Sequence, residues 1–174
     1  MDLVQSVLSP AQFSLFSRLQ PGEQSHSIKV FTKLAGAGES NPDLLVAALL
    51  HDVGKIRYPL KLWERVWIVI GQALFPSLSK NWAKGELDAP HPALFWARPF
   101  VVAEQHPAWG ARLARRAGAT NTCIALIRRH QEILPPSDPL RFQGEGQNLN
   151  SQGGESHGLE DCLLHKLQAA DNDS

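Results

Sequence analysis

The sequence predicts an all-α protein. Apolar residues recur at three- and four-residue steps nearly throughout the chain, and no segment keeps the period of two that a half-buried strand requires. Proline and glycine fall where the apolar runs end. With 174 residues, of which 43% are hydrophobic, the chain is long enough for one full core. We therefore expect residues 1–174 to form a single helical domain.

The first two predicted helices meet at a proline–glycine pair. Leu15, Leu19 and two neighbouring phenylalanines indicate the first helix, and the pair at 21–22 ends it. The second helix should cover about residues 23–35, and glycines follow it. His26 lies on its apolar face, because apolar residues follow at four-residue steps.

The third predicted helix is apolar on all sides. Asn41 is a suitable N-cap, and proline follows at the first helical position. The run from 44 to 53 is apolar except for His51 and Asp52, and Gly54 should end it. Such a helix is buried, so its aspartate must be paired or metal-bound inside the protein.

Residues 58–100 have the composition of an insert, and four of the chain's five tryptophans lie there. A helical period is carried by Leu62, Val66, Ile70 and Leu74. We expect a helical hairpin packed on the core. There are two alternatives: the segment forms a lid over the functional site, or it forms an interfacial helix that touches a membrane. Lys61, Glu64 and Arg65 permit the membrane alternative but do not require it.

Two more helices should follow this segment. The dipeptide at 106–107 is His-Pro and is expected to open a helix, which Gly118 closes. Asn121 should cap the next helix. Apolar residues recur there at three-residue steps, and His130 is the last position of this series. The proline pair at 135–136 stops that helix.

The C-terminal part combines a loop with a leucine-rich helix. Residues 135–158 are rich in Pro, Gly, Gln, Asn and Ser, which predicts a mobile loop. The last helix should cover about 159–170. Leu163, Leu167 and Asp171 follow one another at four-residue steps on one face of it.

Imidazole and carboxylate groups thus fall on the inner faces of several helices. The six residues are His26, His51, Asp52, His106, His130 and Asp171. These donor types, projecting from packed helices, bind divalent transition metals. The sequence therefore predicts a metal site.

This pattern resembles the HD superfamily of metal-dependent phosphohydrolases, which is all-α and has the order His…His-Asp…Asp. The matching positions are His26, His51-Asp52 and Asp171, and the stretch from Gln24 to Lys55 carries the strongest likeness. The sequence LQAAD, which ends at Asp171, is similar to the last motif of the family. The resemblance implies an HD-domain helical bundle in which these four residues hold one metal ion.

Two further segments resemble the subset of the superfamily typified by HD-GYP phosphodiesterases. HPAWGARLARRAG at 106–118 is similar to their HPxxG segment, and LIRRHQE at 126–132 to their second histidine motif. The resemblance implies a binuclear site in which Asp52 bridges to a second metal held by His106 and His130. Gly-Tyr-Pro is absent after His130, where the chain reads Ile-Leu-Pro-Pro, and this departure argues against cyclic-di-GMP as the substrate.

By this resemblance we expect a phosphomonoesterase or phosphodiesterase that acts on a nucleotide or another small phosphate ester. Asp52 and Lys55 are the expected catalytic residues, and Lys55 would contact the substrate phosphate. Arg128 and Arg129 are weaker candidates for phosphate binding, and solvated surface positions are the other interpretation. The donor set accepts Mn, Fe, Co, Ni or Zn, so the identity of the two ions stays open.

Two other functions fit the same residues. One is a di-iron oxygenase resembling myo-inositol oxygenase, and the other is a non-catalytic HD module that binds metal. Seventeen basic and seventeen acidic residues balance, which argues against a nucleic acid polymer or anionic lipid as the main partner. Cys123 and Cys162 are isolated and are predicted to be small buried hydrophobes in a reducing compartment.

The expected localisation is cytoplasmic, since no leader segment is visible and the longest apolar run, 66–75, is too short to span a bilayer. The oligomeric state is not predicted.

Overall fold

The computed structural model describes residues 2–85, 87, 95–133 and 154–173. Within these ranges it contains α-helices, one 3-10 helix and no strand, so the all-α prediction is confirmed. The helices are α1 (Asp2–Val7), α2 (Pro10–Phe16), α3 (Pro21–Gly36), α4 (Pro42–Leu50), the 3-10 helix (Val53–Arg57), α5 (Leu62–Leu74), α6 (Pro76–Ala83), α7 (Arg98–Arg116), α8 (Asn121–Arg129) and α9 (Gly154–Asn172).

The main core packs around α4. Side chains of α1, α2, α3, α8, α9 and the C-terminal half of α7 surround it, and the segment 47–50 is completely buried. Asn41 caps α4 as predicted, because its side-chain oxygen accepts hydrogen bonds from the N–H groups of Asp43 and Leu44. Burial of this all-apolar helix is what brings the polar residues after it into the interior.

The end of α4 differs from the prediction. The α-helix stops at Leu50 instead of Val53, His51 and Asp52 form a turn, and a 3-10 helix follows. Gly54 does not act as a stop signal. A Cβ built there would lie 1.9 Å from the carbonyl oxygen of His106, so glycine is required because two backbones touch.

The N-terminal helices also differ from the prediction. Instead of one helix ended by the proline–glycine pair, two short helices precede it, and the pair begins α3 with Pro21 at its first position. Ser9 and Gln12 form a reciprocal cap at the start of α2, which sets this second short helix.

The prediction that the His-Pro pair opens a helix is wrong, because α7 begins at Arg98 and carries Pro107 in its interior. The cap of α8 is Thr120 instead of Asn121, since the Thr120 hydroxyl accepts the N–H of Cys123. Of the predicted mobile loop, residues 135–153 lie outside the described residues, and 154–158 belong to α9.

The tryptophan-rich stretch contains α5 and α6, which pack on the N-terminal half of α7. The hairpin does not use the apolar repeat of α5 for this packing. The four repeat residues, Leu62, Val66, Ile70 and Leu74, are all exposed, and the buried side of α5 carries Glu64 and Gly71. No helix in the described part of the chain is long and apolar enough to cross a membrane.

Candidate metal centre

The fold brings all six predicted ligand residues together at one point inside the bundle. They come from five different places: His26 from α3, His51 and Asp52 from the turn after α4, His106 from the middle of α7, His130 from the end of α8 and Asp171 from the end of α9. Four of them, His51, Asp52, His106 and His130, are buried. The helices therefore converge on a polar cluster enclosed by apolar packing.

The first ligand group contains His26, His51 and Asp52, whose ligand atoms lie within 4.8 Å of one another. Asp171 joins this group, because its Oδ1 lies 2.7 Å from Nε2 of His26 and 3.5 Å from Nε2 of His51. Oδ2 of Asp52 is 3.7 Å from Nε2 of His51. Two imidazoles and two carboxylates thus surround one position.

The second ligand group contains Asp52, His106 and His130. Nε2 of His106 lies 3.2 Å from Oδ1 of Asp52 and 3.3 Å from Nε2 of His130. Asp52 therefore belongs to both groups and offers a different carboxylate oxygen to each. A carboxylate in this position can join two metal ions.

The buried histidines have their rings held by backbone carbonyls. Nδ1 donates a hydrogen bond in each case: His51 to Ala48 at 2.9 Å, His106 to Ala103 at 2.8 Å, and His130 to Ile127 at 2.8 Å. An imidazole that donates through Nδ1 keeps a lone pair on Nε2. All three Nε2 atoms therefore face the cluster as metal-type donors.

Pro107 explains part of this arrangement. Proline has no N–H to donate to the carbonyl of Ala103 four residues earlier in α7. The ring of His106 donates to that same carbonyl. The His-Pro pair therefore orients a ligand in the middle of α7, although its sequence is typical of a helix start.

The donor atoms fit a bound cation. Nε2 of His51 is buried and has no hydrogen-bond partner among the described residues. Burial, together with the neighbouring His51 and His106, lowers the pKa of His130 to about 3, so this imidazole is neutral at pH 7. The close Nε2 atoms of His106 and His130 thus present lone pairs that a metal ion would satisfy.

The two carboxylates are ionised. Burial raises the pKa of Asp52, but the neighbouring His51, His106 and Lys55 bring it well below its usual range. For Asp171, burial again raises the pKa, and the hydrogen bond with His26 together with the neighbouring His51 and His26 charges lowers it below its usual value. The centre therefore combines two ionised carboxylates with the neutral imidazole of His130, and these are donor types that a divalent ion requires.

Lys55 lies beside the centre, with Nζ 2.7 Å from Oδ2 of Asp52. The two arginines are placed differently. Arg128 is exposed, and Arg129 binds Glu132 at 2.6 Å and Asp161 at 2.8 Å on the outside of the bundle. Their contact with a phosphate stays a prediction without support from this geometry.

A cavity of about 220 Å³ opens at the centre. Its polar wall includes Lys55, His106, Gln131 and an ion pair between the buried Glu23 of α3 and the partly exposed Arg65 of α5. Oε2 of Glu23 is buried and has no partner among the described residues. The tryptophan-rich segment therefore supplies one wall of the entrance, in keeping with the alternative that it covers the site.

The sequence analysis missed Gln168, which holds His130 in place. Its side-chain amide donates to the carbonyl oxygens of Glu132 at 2.8 Å and His130 at 3.0 Å, across the end of α8. The signal was its position three residues before Asp171, which puts both side chains on neighbouring parts of one helix face.

Comparison with known proteins gives one match. The family model described as HD domain matches residues 24–172, which includes every residue of the centre. No curated protein and no solved structure matches the chain.

Proposed function

The chain belongs to the HD domain family, and we propose that it is a metal-dependent phosphohydrolase acting on a small phosphate ester through a binuclear site. The observation that carries this proposal is the pair of ligand groups that share Asp52. A shared carboxylate with separate oxygens toward two groups of inward Nε2 atoms is the donor set of a two-metal hydrolase.

The six ligand residues would be divided between two metal positions. His26, His51, Asp52 and Asp171 would hold one ion, and Asp52, His106 and His130 the other. Two divalent ions bound there would lower the pKa of a shared water and stabilise charge on the attacking and leaving oxygens. The neutral state of His130 supports this assignment, because imidazole binds a metal only when it is deprotonated.

The remaining residues would bind the substrate. Lys55 is half-buried at the cavity wall. Its ammonium would leave the ion pair with Asp52 and bind a substrate phosphate through its positive charge. The Glu23–Arg65 pair and Gln131 would face the organic part of the substrate. At about 220 Å³ the cavity lies below the size usual for drug-sized ligands, which favours a monoester or a mononucleotide over a large diester.

The experiment is elemental analysis of anaerobically purified protein together with a panel of phosphomonoesters and phosphodiesters. We expect two transition-metal ions per chain. His106→Ala should lower the content toward one ion, Asp52→Ala should lose both ions and all activity, and Lys55→Ala should raise KM or lower kcat with the metal retained. His165→Ala, on α9 outside the centre, is the matched control.

Three results would contradict the proposal in different ways. One metal ion that His106→Ala leaves unchanged would remove the binuclear site. Oxygen uptake by an iron-loaded protein that releases no phosphate would indicate the di-iron oxygenase. Full metal content without turnover on any ester would indicate a binding module.

A further inference from the structure

The outer side of α5 is an exposed apolar face. Its six large residues are between 41% and 79% exposed: Leu62, Trp63, Val66, Val69, Ile70 and Leu74. Phe75 and Leu78 continue it into α6, also exposed. No charged residue interrupts this arc, since the polar side chains of α5 lie on the other sides of the helix. A contiguous apolar surface of this kind marks an interaction site.

Contacts on the opposite side fix the direction of this face. Glu64 is buried, accepts the N–H of Lys61 at 2.7 Å and pairs with Arg98 of α7. Gly71 lies against Phe100, where a Cβ would come within 2.4 Å of the ring. Turning the apolar face inward would expose Glu64 and break its ion pair. The face is therefore held outward by the fold.

The exposed charged residues of the stretch 58–85 are all basic, and the acidic Glu86 and Asp88 that follow it lie outside the described residues. Between residues 58 and 85 the only acidic residue is the buried Glu64. Lys61, Lys80 and Lys84 are exposed, and Arg65 is paired with Glu23. The hairpin is thus locally basic although the whole chain has no net charge. Lysines beside an apolar, tryptophan-bearing helix face are the pattern of helices that lie in a membrane interface.

We propose that the α5–α6 hairpin docks on an anionic membrane surface. The apolar face would enter the boundary between headgroups and acyl chains, and Lys61, Lys80 and Lys84 would contact the headgroups. A second copy of the chain is the weaker occupant, because a two-fold contact through this face would bring the same lysines together. Arg65 and Ile68 of α5 line the cavity from sides of the helix that this face does not use, so docking leaves those lining residues uncovered.

The test is co-sedimentation of the full chain with two kinds of vesicle, phosphatidylcholine alone and phosphatidylcholine mixed with phosphatidylserine. We expect binding to the mixed vesicles and weak binding to the neutral ones. Val66→Glu with Val69→Glu should lower binding at least about tenfold. Leu159→Glu is the matched control, because Leu159 is 56% exposed on α9 and lies outside the face.

A second pair of variants tests the charges. Lys80→Ala with Lys84→Ala should lower binding to mixed vesicles by about fivefold for each lysine and leave neutral vesicles unaffected. Circular dichroism and metal content of every variant show whether the fold is retained. Equal binding to both vesicles, absence of binding, or equal binding by Val66→Glu/Val69→Glu and the wild type would overturn the proposal. A stable dimer dissociated by the same variants would also overturn it and identify a second copy as the occupant.

Discussion

Around the metal centre the helices turn their apolar sides inward and bury imidazoles and carboxylates among them, whereas α5 turns its apolar side outward and buries one carboxylate. Both regions contain amphipathic helices with the same period. In the bundle, Leu163, Leu164 and Leu167 of α9 are buried. On α5, Val66 and Val69 are exposed. The difference shows that a helical period defines two faces, while the packing partners decide which face points inward.

The largest effect on stability is expected at Gly54, on the metal-centre side of this comparison. Gly54→Ala places a Cβ against the backbone of His106 and should separate the 3-10 helix from α7. We expect a loss of more than about 3 kcal/mol in the free energy of unfolding, together with loss of metal. Urea denaturation and elemental analysis measure both.

Gly36→Ala is the control for this substitution, because nothing lies within 4 Å of the Cβ position at the end of α3. It should leave stability unchanged or raise it by up to about 1 kcal/mol. Equal stability of the two variants would show that the contact between the 3-10 helix and α7 is not tight.

The next effect compares one buried and one exposed side chain directly. Leu167→Ala, in the core, should cost about 2–5 kcal/mol of unfolding free energy. Val69→Ala, on the outer side of α5, should change it by less than about 0.5 kcal/mol. A large cost for Val69→Ala in dilute monomeric protein would mean that the face is covered.

A smaller effect separates two aspartates at the C-terminal end of α9, one in its last turn and one just after it. Asp171 contacts His26 and His51 in the centre, while Asp173 binds Lys33 at 2.7 Å with 72% of its side chain exposed. Asp171→Asn should weaken metal affinity about tenfold to a hundredfold or more. Asp173→Asn should leave affinity unchanged, because an exposed ion pair contributes little. Calorimetric metal titration of both variants distinguishes them.

The smallest expected effect is a difference in reactivity between the two cysteine thiols. Burial raises the pKa of the Cys123 thiol to about 12, so at pH 8 it stays protonated and unreactive as long as the protein is folded. Cys162 is half-buried on α9. We expect one thiol per chain to react with a disulfide reagent in the native protein and two after denaturation. Rapid reaction of Cys123 in the native protein would show that the core around α8 opens.

The site residues could be chosen from the sequence because their signal is local. His51 and Asp52 interrupt an otherwise apolar run, and such polar residues must have partners inside the protein. The sequence placed Asp171 at the end of an apolar helix face in the same way. Helix existence followed from period and caps, as the cap at Asn41 shows.

Sequence alone therefore determined the helical class, the buried α4 and the set of candidate ligands, since each depends on residues a few positions apart. The tertiary structure decided the rest. The contact between Gly54 and His106 lies where α4 ends early, the packing of α7 holds Pro107 inside a helix, and the Glu64–Arg98 pair together with the Gly71–Phe100 contact turns α5 outward. These outcomes depend on contacts between residues that are distant in the chain, and a local sequence pattern does not predict which distant residues will come into contact.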